Sequence, residues 1–269
     1  MTGWSTAVCE TNGIKIHYTR TGGGKPPLIL LHGLAANGAC WTPLARALIG
    51  ECDVITPDAR GHGKSSAPDH GYRYEDHAND VADLIKALRL SPPILLGHSM
   101  GGMTAAVVAS RKPHLLSGLI LADPTFLSPE FQRQVFESDS ADQHRKMLNR
   151  SLHELIAEAA IRHPDRSSET LELIARARLQ TSISAFDVLT PPNPDYMKLV
   201  SAIDVPILLV IGDAGVVSPA MAAELQRVNP RIHVEQITEA GHGVQYDQPD
   251  RFAVVVKSFL RSIPAVIES

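Results

Sequence analysis

Cysteine is scarce in this chain of 269 residues. Cys9, Cys40 and Cys52 are irregularly spaced and form no CxxC pair, which argues against a structural zinc site or a dithiol redox centre. They read as buried or half-buried thiols that behave as small hydrophobes. Runs of like charge are missing too: with a formal net charge of −4 and no stretch rich in Lys or Arg, nothing is available to track a phosphate backbone, so nucleic acid is not expected as a partner. No apolar run approaches the roughly 20 residues that a membrane helix needs, so no membrane association is expected. Met1 to Gly13 lacks a basic region followed by an apolar core, and the cytoplasm is the expected compartment. Internal repeats, metal-ligand clusters and dinucleotide-binding glycine loops are also absent, and no cofactor is expected.

What is present is ordinary globular material, 44% hydrophobic and 20% charged. Short apolar runs bounded by turn residues alternate with stretches of helical periodicity, the pattern of a mostly parallel sheet with helices on its faces. Leu28 to Leu31, Val54 to Ile55, Ile94 to Leu96, Leu119 to Ala122, Ile207 to Ile211 and Val234 to Ile237 read as strands, and Thr11 to Thr19 as a half-buried edge strand. Ala78, Val81, Ala82, Ile85 and Leu88 fall at helical spacing behind Glu75 and Asp76, and Phe252, Val255, Val256, Phe259 and Leu260 repeat the pattern after Pro249. Residues 126–204 carry helical segments with no strand between them: Leu148, Leu152, Leu155, Ile156 and Ala159 line one face before Pro164, and Leu171, Ile174 and Ala175 begin another. The expected organisation is an α/β core of residues 1–125 and 205–269, with residues 126–204 as a helical cap over the carboxyl ends of the strands.

Gly97-His98-Ser99-Met100-Gly101 follows the run Ile94 to Leu96 and precedes an Ala- and Val-rich stretch from Met103. This is the G-x-S-x-G pattern in its strand, turn and helix setting, with small flanking residues that let the chain pass while the serine hydroxyl is presented above the sheet. The helix start behind Ser99 aims the Met100 amide at a developing oxyanion. A second donor is needed, since losing one costs about 3 kcal/mol of transition-state stabilisation. Leu34, in His32-Gly33-Leu34 after the first apolar strand, is the candidate.

Together with LLHGLAANG (30–38), DARGHGKS (58–65) and AGHG (240–243), this GHSMGG element (97–102) resembles the α/β-hydrolase superfamily over nearly the whole chain. The resemblance implies an eight-stranded, mostly parallel sheet, a helical cap, and a Ser, acid, His triad in that chain order. It makes Ser99 the nucleophile and His242 the general base; His98 reads instead as a residue that packs and orients the turn, and the 58–65 loop as structural. Relatives with dehalogenase or epoxide hydrolase chemistry use Asp where this chain has Ser.

The acid is less plain. In many family members it is the second carboxylate of a GDxDxxxP pattern after the seventh strand, and here that segment reads Gly212-Asp213-Ala214-Gly215-Val216-Val217-Ser218-Pro219, with glycine at the expected position. Asp213 matches the first, noncatalytic carboxylate. Asp123, at the end of Leu119 to Ala122, is favoured over Asp213, and Asp187 is a remoter alternative. The expected function is hydrolysis of a small to medium, largely apolar ester or lactone through an acyl-enzyme, with Trp41, Met103, Phe126 and Leu127 as candidate substrate contacts. Amide, thioester or carbon–carbon bond hydrolysis, and ligand binding with little turnover, are the alternatives. A small molecule is the expected partner, and a homodimer is compatible with the composition.

Overall fold

The computed structural model describes residues 3–263. The chain opens on a hairpin, in which β1 (Ser5–Thr11) and β2 (Ile14–Arg20) pair antiparallel around Asn12 and Gly13 at φ 45° and 76°. Positive φ at both central residues is what a two-residue type I′ turn requires, and Asn-Gly supplies it. The single strand expected over Thr11 to Thr19 is therefore corrected to two strands, because the turn falls inside that stretch.

The remaining strands are β3 (Pro27–Leu31), β4 (Asp53–Pro57), β5 (Ile94–His98), β6 (Gly118–Ala122), β7 (Ile207–Ala214) and β8 (Ile232–Gly241). They form one eight-stranded sheet in the order β1-β2-β4-β3-β5-β6-β7-β8. From β4 to β8 every pairing is parallel, while β2 runs antiparallel to both of its neighbours. The sheet is thus eight-stranded and mostly parallel.

Eleven α-helices lie among the described residues. They are α1 (Thr42–Leu48), α2 (Tyr74–Ala87), α3 (Met100–Arg111), α4 (Pro129–Glu137), α5 (Ser140–Met147), α6 (Leu152–Arg162), α7 (Ser168–Leu179), α8 (Tyr196–Ser201), α9 (Pro219–Val228), α10 (Val244–Asp247) and α11 (Pro249–Ser262). None is long and apolar enough to cross a membrane.

Alternation along the buried strands divides the interior into two layers, since successive side chains leave a strand on opposite faces. Ile29, Leu31, Leu95, Leu119, Leu121 and Leu209 join a core with α2, α3, α8 and α9. Leu28, Leu30, Leu96, Ile120, Leu208 and Val210 join the opposite core with α1 and α11. Parallel strands covered on both faces read as continuous apolar runs for this reason. Cys40 and Cys52 are buried and Cys9 half-buried, all as free thiols.

Between β6 and β7 the chain runs through α4 to α8. The apolar stripe from Leu148 to Ala159 is not one helix: α5 ends at Met147, and Ser151 starts α6 with a capping box, its hydroxyl accepting from the Glu154 amide while the Glu154 carboxylate accepts from the Ser151 amide. Such a box satisfies the orphan amides of a helix start.

Candidate active site

Ser99 stands between β5 and α3 at φ 54°, ψ −119°, a left-handed conformation that an L-residue adopts only when its surroundings enforce it. The flanking glycines are part of that enforcement. A Cβ on Gly97 would run into the Gly101 carbonyl, and one on Gly101 into the Leu31 carbonyl at the end of β3. On Gly102 a Cβ would lie 2.8 Å from Pro124 Cβ. The turn is so tightly nested between β3 and β6 that side chains at these positions have no room.

His242 sits just past β8, in the short connection to α10. Its Nε2 lies 2.9 Å from Ser99 Oγ, and its Nδ1 lies 2.5 Å from Asp123 Oδ2. Nδ1 therefore donates to the carboxylate, leaving Nε2 to accept the serine hydroxyl proton. Asp123 follows β6 at φ 41° and is fully buried, whereas the His242 side chain remains 42% exposed. Burying a carboxylate is costly unless every lone pair is engaged. Here the Val216 and Val217 amides each donate to it at 2.8 Å, beside the His242 ring.

Those two amides come from the loop after β7 that contains Gly215, and a Cβ on Gly215 would stand 2.6 Å from the Asp123 carboxylate oxygens. The glycine is thus explained by the carboxylate that fills the space above it. Asp213 is exposed and turned elsewhere, accepting from Gln236 Nε2 at 2.9 Å and from the Glu239 amide at 2.7 Å. It braces β7 against β8. The structure brings Ser99, His242 and Asp123 into one hydrogen-bonded line and leaves Asp213 outside it; Asp187 lies in a helical turn between α7 and α8.

The turn at 32–35 abuts the serine, since a Cβ on Gly33 would lie 3.1 Å from both Ser99 Cβ and His98 Nδ1. Two neutral imidazoles hold that turn. His32 donates from Nδ1 to the Gly33 carbonyl at 2.8 Å and accepts the Ala59 amide on Nε2 at 2.9 Å. His62 donates from Nδ1 to the Arg60 carbonyl and accepts the Ala35 amide on Nε2 at 3.2 Å. Burial lowers the His32 pKa to about 4 and that of His62 to about 3, so both rings keep the tautomer these bonds need. Ala35 and Ala36 spend their amides on His62 and on the Gly33 carbonyl, whereas the Leu34 amide, next to Gly33, is not used in either bond. Met100 is the first residue of α3 and its amide has no intrahelical acceptor.

His98 does more than pack. Its Nε2 donates to the His242 carbonyl at 2.8 Å, and its ring lies 4.8 Å from that of His242. Burial, then the neighbouring His242, lowers its pKa to about 3. A neutral ring thus ties the loop carrying His242 to the turn carrying Ser99.

The proposed substrate contacts need revision. Trp41 lies in the core beneath α1 and α11, Met103 and Phe126 in the core on the opposite face, and all three are at most 2% exposed. Leu127 is half-buried. A cavity of about 480 Å³ is walled instead by α5, α6, α7 and Ala35, with Arg166 and Arg178 among its lining. Arg166 also binds Asp247 at 2.8 Å, and Asp247 Oδ2 accepts the Gly241 amide beside His242. Neither arginine stands in a recognisable motif; the only trace in the sequence is the number of Arg residues interspersed among the apolar residues of this region.

The family model for the alpha/beta hydrolase fold matches residues 26–249, and the chain belongs to that family. It is similar to N-formylmaleamate deformylase of Pseudomonas putida, 31% identical over 259 residues that cover 93% of this chain and 94% of the relative. It is also similar to an sn-1-specific diacylglycerol lipase of Mus musculus, 29% identical over 87% of this chain and 81% of the relative. Among solved structures, that of E-2-(acetamidomethylene)succinate hydrolase superposes with a TM-score of 0.83 at 24% identity, covering 96% of this chain and all of that one, a likeness of fold. That of N-formylmaleamic acid deformylase from Pseudomonas putida S16 gives 0.82 at 27%, covering 94% and 100%. The chain is a hydrolase of this superfamily.

Proposed function

We propose that the chain is a serine hydrolase that cleaves a carboxylic ester or lactone through an acyl-enzyme on Ser99. The observation that carries this reading is the line Ser99 Oγ, His242 Nε2, His242 Nδ1, Asp123 Oδ2, with separations of 2.9 and 2.5 Å. In the first half-reaction Ser99 Oγ attacks the carbonyl carbon while His242 Nε2 takes the hydroxyl proton. The tetrahedral oxyanion is held by the Leu34 and Met100 amides. Collapse breaks the bond to the leaving group, which departs with the proton from His242. Water then attacks the acyl carbon, giving its proton to His242; collapse of this second tetrahedral intermediate breaks the bond to Ser99 Oγ, which takes the proton back from His242 as the acid leaves.

Asp123 holds the imidazole in the working tautomer and stabilises the imidazolium that forms. The helices of residues 126–204 act as a cap that roofs the site. An amide would follow the same course with an amine as leaving group, and the relative named a deformylase favours keeping amides in the substrate panel.

The test is labelling with a fluorophosphonate probe followed by peptide mapping. Modification at Ser99, abolished in Ser99→Ala and strongly slowed in His242→Gln, is the expected result. Labelling at another residue, or none in correctly folded protein, would overturn the reading.

A further inference from the structure

The chain carries a net charge of −4, yet the cavity walled by α5, α6 and α7 is strongly positive. Lys146, Arg150, Arg162, Arg166 and Arg178 all line it, and Glu158 is the one carboxylate in its described wall. Lys146, Arg162 and Arg178 stand in the last turns of α5, α6 and α7, where a cation complements the helix dipole. That accounts for each alone on a solvated surface. It does not account for three helix ends converging on one concavity.

The ion pairs leave a surplus. Glu158 is shared by Arg150 and Arg162, and Arg166 is held by Asp247. Among the described residues the Arg178 guanidinium has neither a carboxylate nor a hydrogen-bond acceptor. Arg178 is an exposed residue whose side chain lines the cavity, where desolvation by its neighbours, followed by repulsion from Arg162 and Arg166, lowers its pKa. An unpaired guanidinium set among like charges on a concave wall favours an anion there.

We propose that this cavity binds a carboxylate of the substrate, with Arg178 as principal ligand and Arg166 beside it, so that the hydrolase acts on esters or amides of acids that carry a second, free carboxylate. The turnover part of this rests on the serine hydrolase reading above; the binding part does not. None of Ser99, His242 and Asp123 lines the cavity, but it comes within one residue of the site at two places. Ala35 lines it next to Leu34, and Arg166 Nη2 lies 3.0 Å from where a Cβ on Gly243, the neighbour of His242, would stand. A volume of about 480 Å³ has room for a small dicarboxylic acid. Helix carboxyl ends repel anions, so side chains must do the binding: the planar Arg178 fork matches a carboxylate, and Arg166, already held by Asp247, adds positive charge beside it.

Calorimetric titration of the wild-type protein with glutarate, with dimethyl glutarate and inorganic phosphate as comparators, tests the site directly. Glutarate is expected to bind, dimethyl glutarate not, and phosphate more weakly than glutarate. Arg178→Gln should weaken glutarate binding about tenfold or more, the factor carried by one charge-assisted hydrogen bond. Arg231→Gln, at the opposite end of β8, should leave it unchanged. In turnover, kcat/KM for mono-p-nitrophenyl glutarate divided by that for p-nitrophenyl butyrate should be well above one, and should fall about tenfold in Arg178→Gln. No glutarate binding, equal binding of the dimethyl ester, tighter binding of phosphate, or an unchanged constant in Arg178→Gln would each overturn the proposal. Glutarate binding without fluorophosphonate labelling of Ser99 would sink the proposed reaction and leave the site standing; labelling without binding would do the reverse.

Discussion

Asp123 and Gly215 occupy one space between them. The carboxylate reaches from the end of β6 into the volume that a side chain at 215 would need, and it takes the Val216 and Val217 amides of that same loop. In the proposed reaction Asp123→Asn keeps the shape but presents the wrong hydrogen-bond pattern to His242. Steady-state assay should then give a kcat lower by about 10⁴, by analogy with the protease triad. Asp213→Asn touches only Gln236 and Glu239 and should stay within a few-fold of wild type. A second expectation follows from the shared space. In the double variant Asp123→Gly, Gly215→Asp, glycine suits the φ of 41° and the new carboxylate starts where the old one ended. It should recover at least about tenfold of the kcat lost in Asp123→Gly alone; no recovery would mean that the reach to His242 cannot be made from β7. Sequence alone left two acids in competition, because a missing carboxylate at 215 says that the acid has moved without saying where.

The strand-turn-helix around Ser99 is strained at one residue and crowded at three. Its conformation persists because β3, β5 and β6 hold their ends in register, Gly97 lying opposite Leu31 on one side and Leu121 on the other. Gly101→Ala puts a methyl group against the Leu31 carbonyl, which cannot yield without breaking the sheet. Overpacking of that kind costs about 1–3 kcal/mol or more, and chemical denaturation should read it as a lower midpoint. Labelling of Ser99 should fall with it. Gly50→Ala, where nothing lies within 4 Å, should change stability by less than about 0.5 kcal/mol. This element was legible from sequence, since the glycines flank the serine within a few residues. The hairpin of β1 and β2 was not read from the sequence, although Asn12-Gly13 signals its turn, because the alternation of Thr11 to Thr19 masked it: two strands joined by a two-residue turn keep the same period-two pattern across the turn.

Among the described residues several buried histidines are held as neutral rings, and His32, His62 and His98 use that form for hydrogen bonds. Burial lowers His32 to about 4 and His62 and His98 to about 3, and pushes His77 well below its usual value. In the unfolded chain these rings titrate near pH 6.5. Between that pH and the folded values the unfolded state binds more protons, so stability rises with pH and falls on acidification. Each ring contributes up to about 1.4 kcal/mol per pH unit in that window, and together they should make unfolding take up protons below pH 6. Urea midpoints measured from pH 7 to pH 4 should drop steeply, and a flat profile would contradict the burial of these rings as neutral species. Replacing His62 by Gln should flatten part of the slope while weakening the hold on the Ala35 amide.

The sequence by itself determined the buried parallel strands, the turn around Ser99 and the histidine of the last loop, because each is written in residues that are neighbours along the chain: apolar runs, small residues around a serine, glycines around a histidine. Tertiary structure alone decided the rest. That Asp123 meets His242 across 119 residues, that Trp41, Met103 and Phe126 are core and not cavity wall, and that the carboxyl ends of α5, α6 and α7 gather cations around one hollow all depend on how helices and loops pack over the sheet. Charge and burial are properties of neighbours in space, and a linear pattern does not carry them.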